Sequence, residues 1–98
     1  MKITETRTAD SLVVALEGRL DTLSAPELEA FLSERYAAVN ELVIDMEKLD
    51  YISSAGVRVI LMAEKTMKDH GKLIIRRPSN LVMGVFSFTG LLDYLTIE

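Results

Sequence analysis

The stretch Leu42-Val43-Ile44-Asp45-Met46-Glu47-Lys48-Leu49-Asp50-Tyr51-Ile52-Ser53-Ser54-Ala55-Gly56 decides the fold. Its first three residues are a compact apolar run, typical of a strand covered on both faces at a central position in a parallel sheet. Asp45 closes that run, and Met46 to Ser53 reads as a loop leading into a helix. The helix is expected over Ser54 to His70. On a helical wheel Gly56, Val59, Ile60, Ala63 and Met67 share one side, while Arg58, Glu64, Lys65, Lys68 and Asp69 lie away from it. Gly71 is placed to close this helix in a left-handed conformation.

Toward the N-terminus, Ile3 to Arg7 alternates weakly, as a short edge strand does, and Ala9-Asp10-Ser11 supplies a turn. Leu12 to Leu20 is more strongly β, with Val14, Leu16 and Leu20 on one face. The short separation favours an antiparallel hairpin. Ser24-Ala25-Pro26-Glu27 has the spacing of a capping box with proline in the first turn. Leu28, Phe31, Leu32 and Tyr36 then recur at helical spacing, and this helix is expected to end near Ala38 or Val39.

Toward the C-terminus, Leu73-Ile74-Ile75 is a third apolar strand. Pro78-Ser79 introduces a helix from about Asn80 to Phe88, ended by Gly90, and Asp93 to Ile97 makes a final strand. The order β-β-α-β-α-β-α-β describes an α/β fold: a mixed, mostly parallel sheet with an N-terminal antiparallel hairpin and right-handed crossover helices. The first two strands are less continuously apolar and are expected to leave one sheet face partly open. With 98 residues and no repeat or linker, the chain reads as a single domain, 1–98.

Composition removes several classes of function. There is no cysteine, and His70 is the sole histidine, so neither a thiolate nor a histidine metal cluster can be assembled. A net charge of -4 argues against direct nucleic-acid binding, and the pair Arg76-Arg77 reads as a solvated strand end. Lys2, Glu5 and Arg7 are unlike a signal peptide, and no run approaches the ~18 apolar residues of a membrane span. Membrane insertion is therefore not expected, and the cytoplasm is the expected location.

The segment before the helix follows a central strand, where α/β proteins place their sites. Ser53 or Ser54 is expected to cap the helix. The same unpaired N–H donors favour an added anion, and a phosphoserine there carries roughly -1.5 to -2 charges. Catalysis is not expected, because His70 lies ~24 Å from Ser54 along the helix axis. Asp21, Asp45 and Asp50 can approach the loop but form no metal motif, and no phosphate-binding or dinucleotide glycine motif is present. The reading is of a non-enzyme without a cofactor. Val57 and Leu61 border the polar side of the wheel beside Arg58; they pack on a neighbouring helix or form the apolar part of a partner interface.

Leu49-Asp50-Tyr51-Ile52-Ser53-Ser54-Ala55-Gly56-Val57-Arg58-Val59 strongly resembles the hallmark segment of the STAS domain, as found in bacterial anti-sigma factor antagonists (anti-anti-sigma factors). Glu17-Gly18-Arg19-Leu20-Asp21, Leu42-Val43-Ile44-Asp45 and Thr89-Gly90-Leu91 extend the resemblance across the chain. It implies a STAS-like fold and a partner: an anti-sigma factor that is a serine kinase with an ATP-binding fold. Phosphorylation of one serine switches the antagonist off, and a serine phosphatase restores it. Ser54 matches the phosphoacceptor, with Ser53 as the alternative because the best-studied antagonists carry aspartate there. Asp21 matches a loop aspartate at the same surface, and the implied partner-binding set is Asp21, Ser53, Ser54, Val57, Arg58 and Leu61. Arg58 stands where glycine is common.

The resemblance admits a second role, a non-switching subunit of a stressosome-type or lipid-transport complex. Family members usually continue past the last strand into a fourth helix, whereas this sequence stops at Glu98. Apolar surface is accordingly expected near Leu91, Leu92 and Leu95, to form a homodimer or to be covered by local rearrangement.

Overall fold

The computed structural model describes every residue from Met1 to Glu98. The elements are β1 (Lys2–Thr8), β2 (Ser11–Leu20), α1 (Ala25–Ser33), β3 (Glu41–Ile52), α2 (Ser54–Lys68), β4 (Lys72–Arg76), α3 (Asn80–Phe88) and β5 (Thr96–Ile97). Single 3-10 turns stand at Tyr36–Ala38 and Leu91–Asp93. One five-stranded sheet runs β1-β2-β3-β4-β5, antiparallel between β1 and β2 and parallel elsewhere. The fold is the expected α/β arrangement of an opening hairpin followed by crossover helices.

Strand alternation divides the sheet into two unlike faces. Leu12, Val14 and Leu16 of β2, Leu42, Ile44 and Met46 of β3, and Leu73 and Ile75 of β4 point into one core. The buried sides of all three helices join that core: Leu28 and Leu32, then Ile60, Ala63 and Met67, then Val82 and Phe86. The wheel drawn for α2 is the observed one, since Gly56, Val59, Ile60, Ala63 and Met67 are its buried residues. On the other face Thr6, Val13, Val43, Ile74 and Thr96 pair in one row across all five strands. Val43 and Ile74 are buried by their neighbours yet lie outside the helix-covered core.

Four expectations need correction. Met46 to Ile52 is not a loop: β3 continues to Ile52, and its second half pairs with β2 alone. Alternation is broken there by a register shift, Ala15 facing Asp45 but Glu17 facing Lys48. Asp45 accepts the Glu47 N–H at 3.0 Å at this irregularity. Such a bulge mixes polar and apolar residues out of phase, which is why the sequence reads as loop.

Helix α1 stops at Ser33 rather than at Ala38 or Val39. Arg35 stacks on Phe31, donates to the Phe31 carbonyl at 2.8 Å and forms a two-bond pair with Glu5 of β1. That side chain satisfies a carbonyl the helix would otherwise use to continue. Gly71 is not left-handed; it is required because a Cβ there would run into the Asn40 main-chain carbonyl. Gly90, by contrast, has φ +75 and ends α3 as expected. The last strand is only Thr96–Ile97, because Leu91–Asp93 winds into a 3-10 turn that buries Leu91.

Two helical glycines make opposite demands. A Cβ on Gly56 would sit 2.7 Å from Leu20 Cγ and 2.9 Å from the Leu20 carbonyl oxygen, whereas one on Gly84 would meet nothing within 4 Å. Gly56→Ala is expected to lower the unfolding free energy by about 1–3 kcal/mol. Gly84→Ala is expected to raise it by about 0.5–1 kcal/mol. Urea unfolding of the two variants beside the parent chain checks both signs.

Candidate functional site at the start of the second helix

The paired residues Leu20 and Ile52 end β2 and β3 side by side. The Ser53 N–H donates to the Leu20 carbonyl at 2.9 Å, and Gly56 lets the first turn of α2 lie against Leu20 and Ile52. Asp21 and Ser53, each one residue past that pair, therefore leave the sheet as neighbours. This construction brings the β2–α1 loop beside the start of α2.

The two serines differ sharply. Ser54 is the first residue of α2 and is exposed. Ser53 is the N-cap by position, in extended conformation, but its hydroxyl caps nothing. Its Oγ is buried and has no hydrogen-bond partner. No side chain therefore satisfies the first-turn N–H groups of α2, which keep their affinity for an anion. Arg58 is exposed, forms no ion pair and follows Ser54 by four residues, one turn along the same helix surface.

Asp21 anchors the neighbouring loop. Its carboxylate accepts the Leu23 N–H at 3.0 Å, the Ser24 N–H at 3.2 Å and the Ser24 hydroxyl at 3.2 Å. The Ser24 N–H is the main influence holding this carboxyl below its ordinary value, supported by Leu23, the Ser24 hydroxyl and Arg19, against partial desolvation. Ser24 was expected to cap α1 through its side chain and does not. Its nearly buried hydroxyl accepts the Asp21 N–H at 2.9 Å and lies 2.7 Å from the Arg19 carbonyl, to which it can donate. The loop competes for that oxygen and wins, because it offers several partners at once. Arg19 also reaches Asp21 at 3.6 Å and lies over the Tyr51 ring at 4.1 Å, tying β2 to β3 from the outside.

A shallow cavity of about 270 Å³ lies between α1 and α2. Thr22, Ala25, Pro26 and Glu29 form one wall; Ala55, Arg58, Val59 and Met62 form the other. Val57 and Leu61 do not line it. Both are half-buried against the core, and Leu61 borders a separate groove with Leu73, Leu91 and Tyr94. The candidate residues thus form one group of Asp21, Ser53, Ser54 and Arg58, with Val57 and Leu61 on another side of α2. Sequence reasoning missed the exposed Leu23 and Met62 beside this group. Met62 stands one turn past Arg58, and that spacing is the signal that could have found it.

Two further candidates lie elsewhere. Asp45 sits far back along β3, where its Oδ2 accepts from Arg77 at 2.7 Å. Burial raises its carboxyl, but the Glu47 N–H and Arg77 outweigh this and leave it lowered. His70 stands beyond the far end of α2, its ring bonded to the Tyr36 carbonyl. No group of three metal-ligating side chains converges anywhere in the chain.

Comparison with known proteins covers nearly the whole chain. The family described as "Mlab, STAS domain" matches residues 3–96. BtrV of Bordetella bronchiseptica, provisionally named an anti-sigma factor antagonist, is 32% identical over 99% of this chain and 85% of its own length. The anti-sigma factor antagonist SpoIIAA in its unphosphorylated form superposes with a TM-score of 0.86 at 26% identity, over 99% of this chain and 88% of that one. The Bacillus cell fate determinant SpoIIAA in its phosphorylated form gives 0.79 at 25% identity, over 99% and 91%.

The loop bonds carry a pH signature. Because the folded Asp21 carboxyl is depressed, its contribution is present above the unfolded value of about 3.9 and is lost as pH falls through the folded value. The urea midpoint of the parent chain is expected to fall faster than that of Asp21→Asn on acidification below pH ~4. Ser24→Ala, which leaves the Arg19 and Asp21 main-chain groups unpaired, is expected to cost about 1–3 kcal/mol at neutral pH.

Proposed function

The chain belongs to the STAS domain family, among the anti-sigma factor antagonists and their non-catalytic regulatory domains, and on that premise we propose that Ser54 is the acceptor of a phosphorylation switch. The single observation that carries this reading is the contrast between the two serines. Ser54 is exposed at the first position of α2, while the Ser53 Oγ is buried. A kinase needs the hydroxyl to reach the γ-phosphate of its nucleotide, and only Ser54 offers that access without unfolding the turn. The existence of both phosphorylated and unphosphorylated SpoIIAA supports a modification that this scaffold accommodates.

The phosphate would rest on the free N–H groups of the first turn and on the favourable end of the α2 dipole, within one turn of Arg58. The fold would then change little. The surface would change a great deal, because roughly two negative charges would be added beside Asp21. The partner of this reading is an anti-sigma factor with an ATP-binding serine kinase fold, docked over Asp21, Ser53, Ser54 and Arg58 and over the exposed Leu23 and Met62, with Val57 and Leu61 supporting α2 from the core side. A serine phosphatase would reverse the switch. Such a partnership would place the protein in the cytoplasm. No helix of the chain is long and apolar enough to cross a membrane.

Mass spectrometry after incubation with the cognate kinase and ATP is expected to find phosphate on the parent chain and on Ser53→Ala, and none on Ser54→Ala. By calorimetry, Ser54→Asp is expected to weaken capture of the kinase by about tenfold or more, ~1.4 kcal/mol, with Ser54→Ala near the parent value. Equal binding by parent, Ser54→Ala and Ser54→Asp, with no phosphate on any, would instead mark a non-switching subunit.

A further inference from the structure

The apolar surface expected at Leu91, Leu92 and Leu95 is largely closed, since Leu91 and Leu95 are buried and Leu92 is half-buried. Beside it lies the groove that Leu61 borders, a hollow of about 570 Å³ on another side of α2 from the Arg58 cavity. Leu61, Lys65 and Lys68 form one wall. At steps of four and three residues they make a stripe of α2 about 10 Å long. The opposite wall is the end of α3 and the 3-10 turn after it, where Leu91 is buried and Tyr94 is 70% exposed. Leu73 lies between the walls near the start of β4, with Lys72 beside it.

We propose that this groove docks an acidic amphipathic helix of a partner protein, its apolar side on Leu61, Leu91 and Tyr94 and its carboxylates against the lysines. Charge selects the acidic character. Three of the chain's five lysines gather on this one groove, against a single acid, Glu64, in a chain of net charge -4. Lys72 reaches Glu41 at 3.5 Å. Neither Lys65 nor Lys68 forms an ion pair, even with Glu64 on the same helix, so both charges are left for an incoming carboxylate.

The main chain selects a helix. The N–H groups of Gly71, Lys72, Thr89, Gly90 and Tyr94 along the groove are all bonded within the chain. An extended segment laid there would take its own main-chain groups out of water and find none of these donors free. A helix pairs its main chain internally and presents only side chains, at i, i+3, i+4 and i+7, as amphipathic helices do in apolar grooves. The open, lysine-edged form also suits a segment better than a small molecule, whose sites enclose most of the ligand. Because the groove and the Arg58 cavity lie on different sides of α2, a partner held here is not displaced by a charge on Ser54.

The probe is a fluorescein-labelled helical peptide of about 15 residues, with leucines at i, i+3, i+4 and i+7 and glutamates flanking them. One control replaces each glutamate by lysine, and a second shuffles the same composition so that no stripe forms. By fluorescence anisotropy the acidic striped peptide is expected to saturate the full chain with a Kd of about 10 μM to 1 mM. Both controls are expected to bind about tenfold more weakly or worse, and the acidic peptide to weaken as salt is raised. The double variant Lys65→Glu with Lys68→Glu, at two exposed positions, is expected to weaken binding by about tenfold or more with little change in the urea midpoint. Lys48→Glu, away from the groove, and Ser54→Asp are expected to bind as the parent does. No saturable binding of the acidic peptide overturns the proposal, as do equal binding of either control and binding that survives the double variant. Sedimentation that shows self-association of the parent, abolished by the double variant, assigns the groove to a second copy and overturns it too.

Discussion

The contact on which the site depends is the seating of the first turn of α2 against the end of β2. The Leu20 carbonyl accepts the Ser53 N–H, while the Leu20 side chain and carbonyl fill the space a Cβ on residue 56 would need. Hydrogen bond and steric closeness together fix where α2 begins and which way it leaves the sheet. The same residue pair, Leu20 with Ile52, also fixes where the β2–α1 loop departs. Asp21 and Ser54 are therefore brought near each other by the sheet register, and no side chain of one needs to hold the other.

Most of the architecture was legible because hydrophobic periodicity is a strong signal when a helix or strand buries one side. The buried residues of α2 were readable from its 3.6-residue period, as was the hairpin from its spacing. What was not legible lay where side chains beyond the local window intervene. The second half of β3 reads as a loop because a bulge at Asp45 breaks its alternation, and only pairing with β2 reveals it as strand. The early end of α1 depends on Arg35, whose partner Glu5 is thirty residues away in sequence.

The site was legible in a different way. The pattern of Ser53, Ser54 and Gly56 identified the segment, but only burial separates the two hydroxyls. Capping propensity suited either serine, and the structure gives the cap position to Ser53 without giving its oxygen a partner. Ser24 carries the same lesson. Its spacing from Glu27 suggests a capping box, yet the hydroxyl joins Arg19 and Asp21 because a tight loop presents more partners than a helix end does. Arg58 and Leu61, adjacent on a wheel diagram, border different hollows because α2 lies between α1 and the end of α3.

The exposed β1 strand has a consequence for life at high concentration. A strand at the margin of a sheet presents unpaired main-chain groups that can recruit a strand from another molecule and seed aggregation. Almost every residue of β1 is exposed, and Lys2, Thr4, Glu5, Thr6, Arg7 and Thr8 give it a polar or charged side chain at all positions but Ile3. Glu5 is in addition held to Arg35. A strand added to that margin would have to desolvate these charges in exchange for a few main-chain bonds. The hairpin that opens the chain thus also works as a guard, leaving the molecule free to associate through surfaces that are chosen rather than through its fabric.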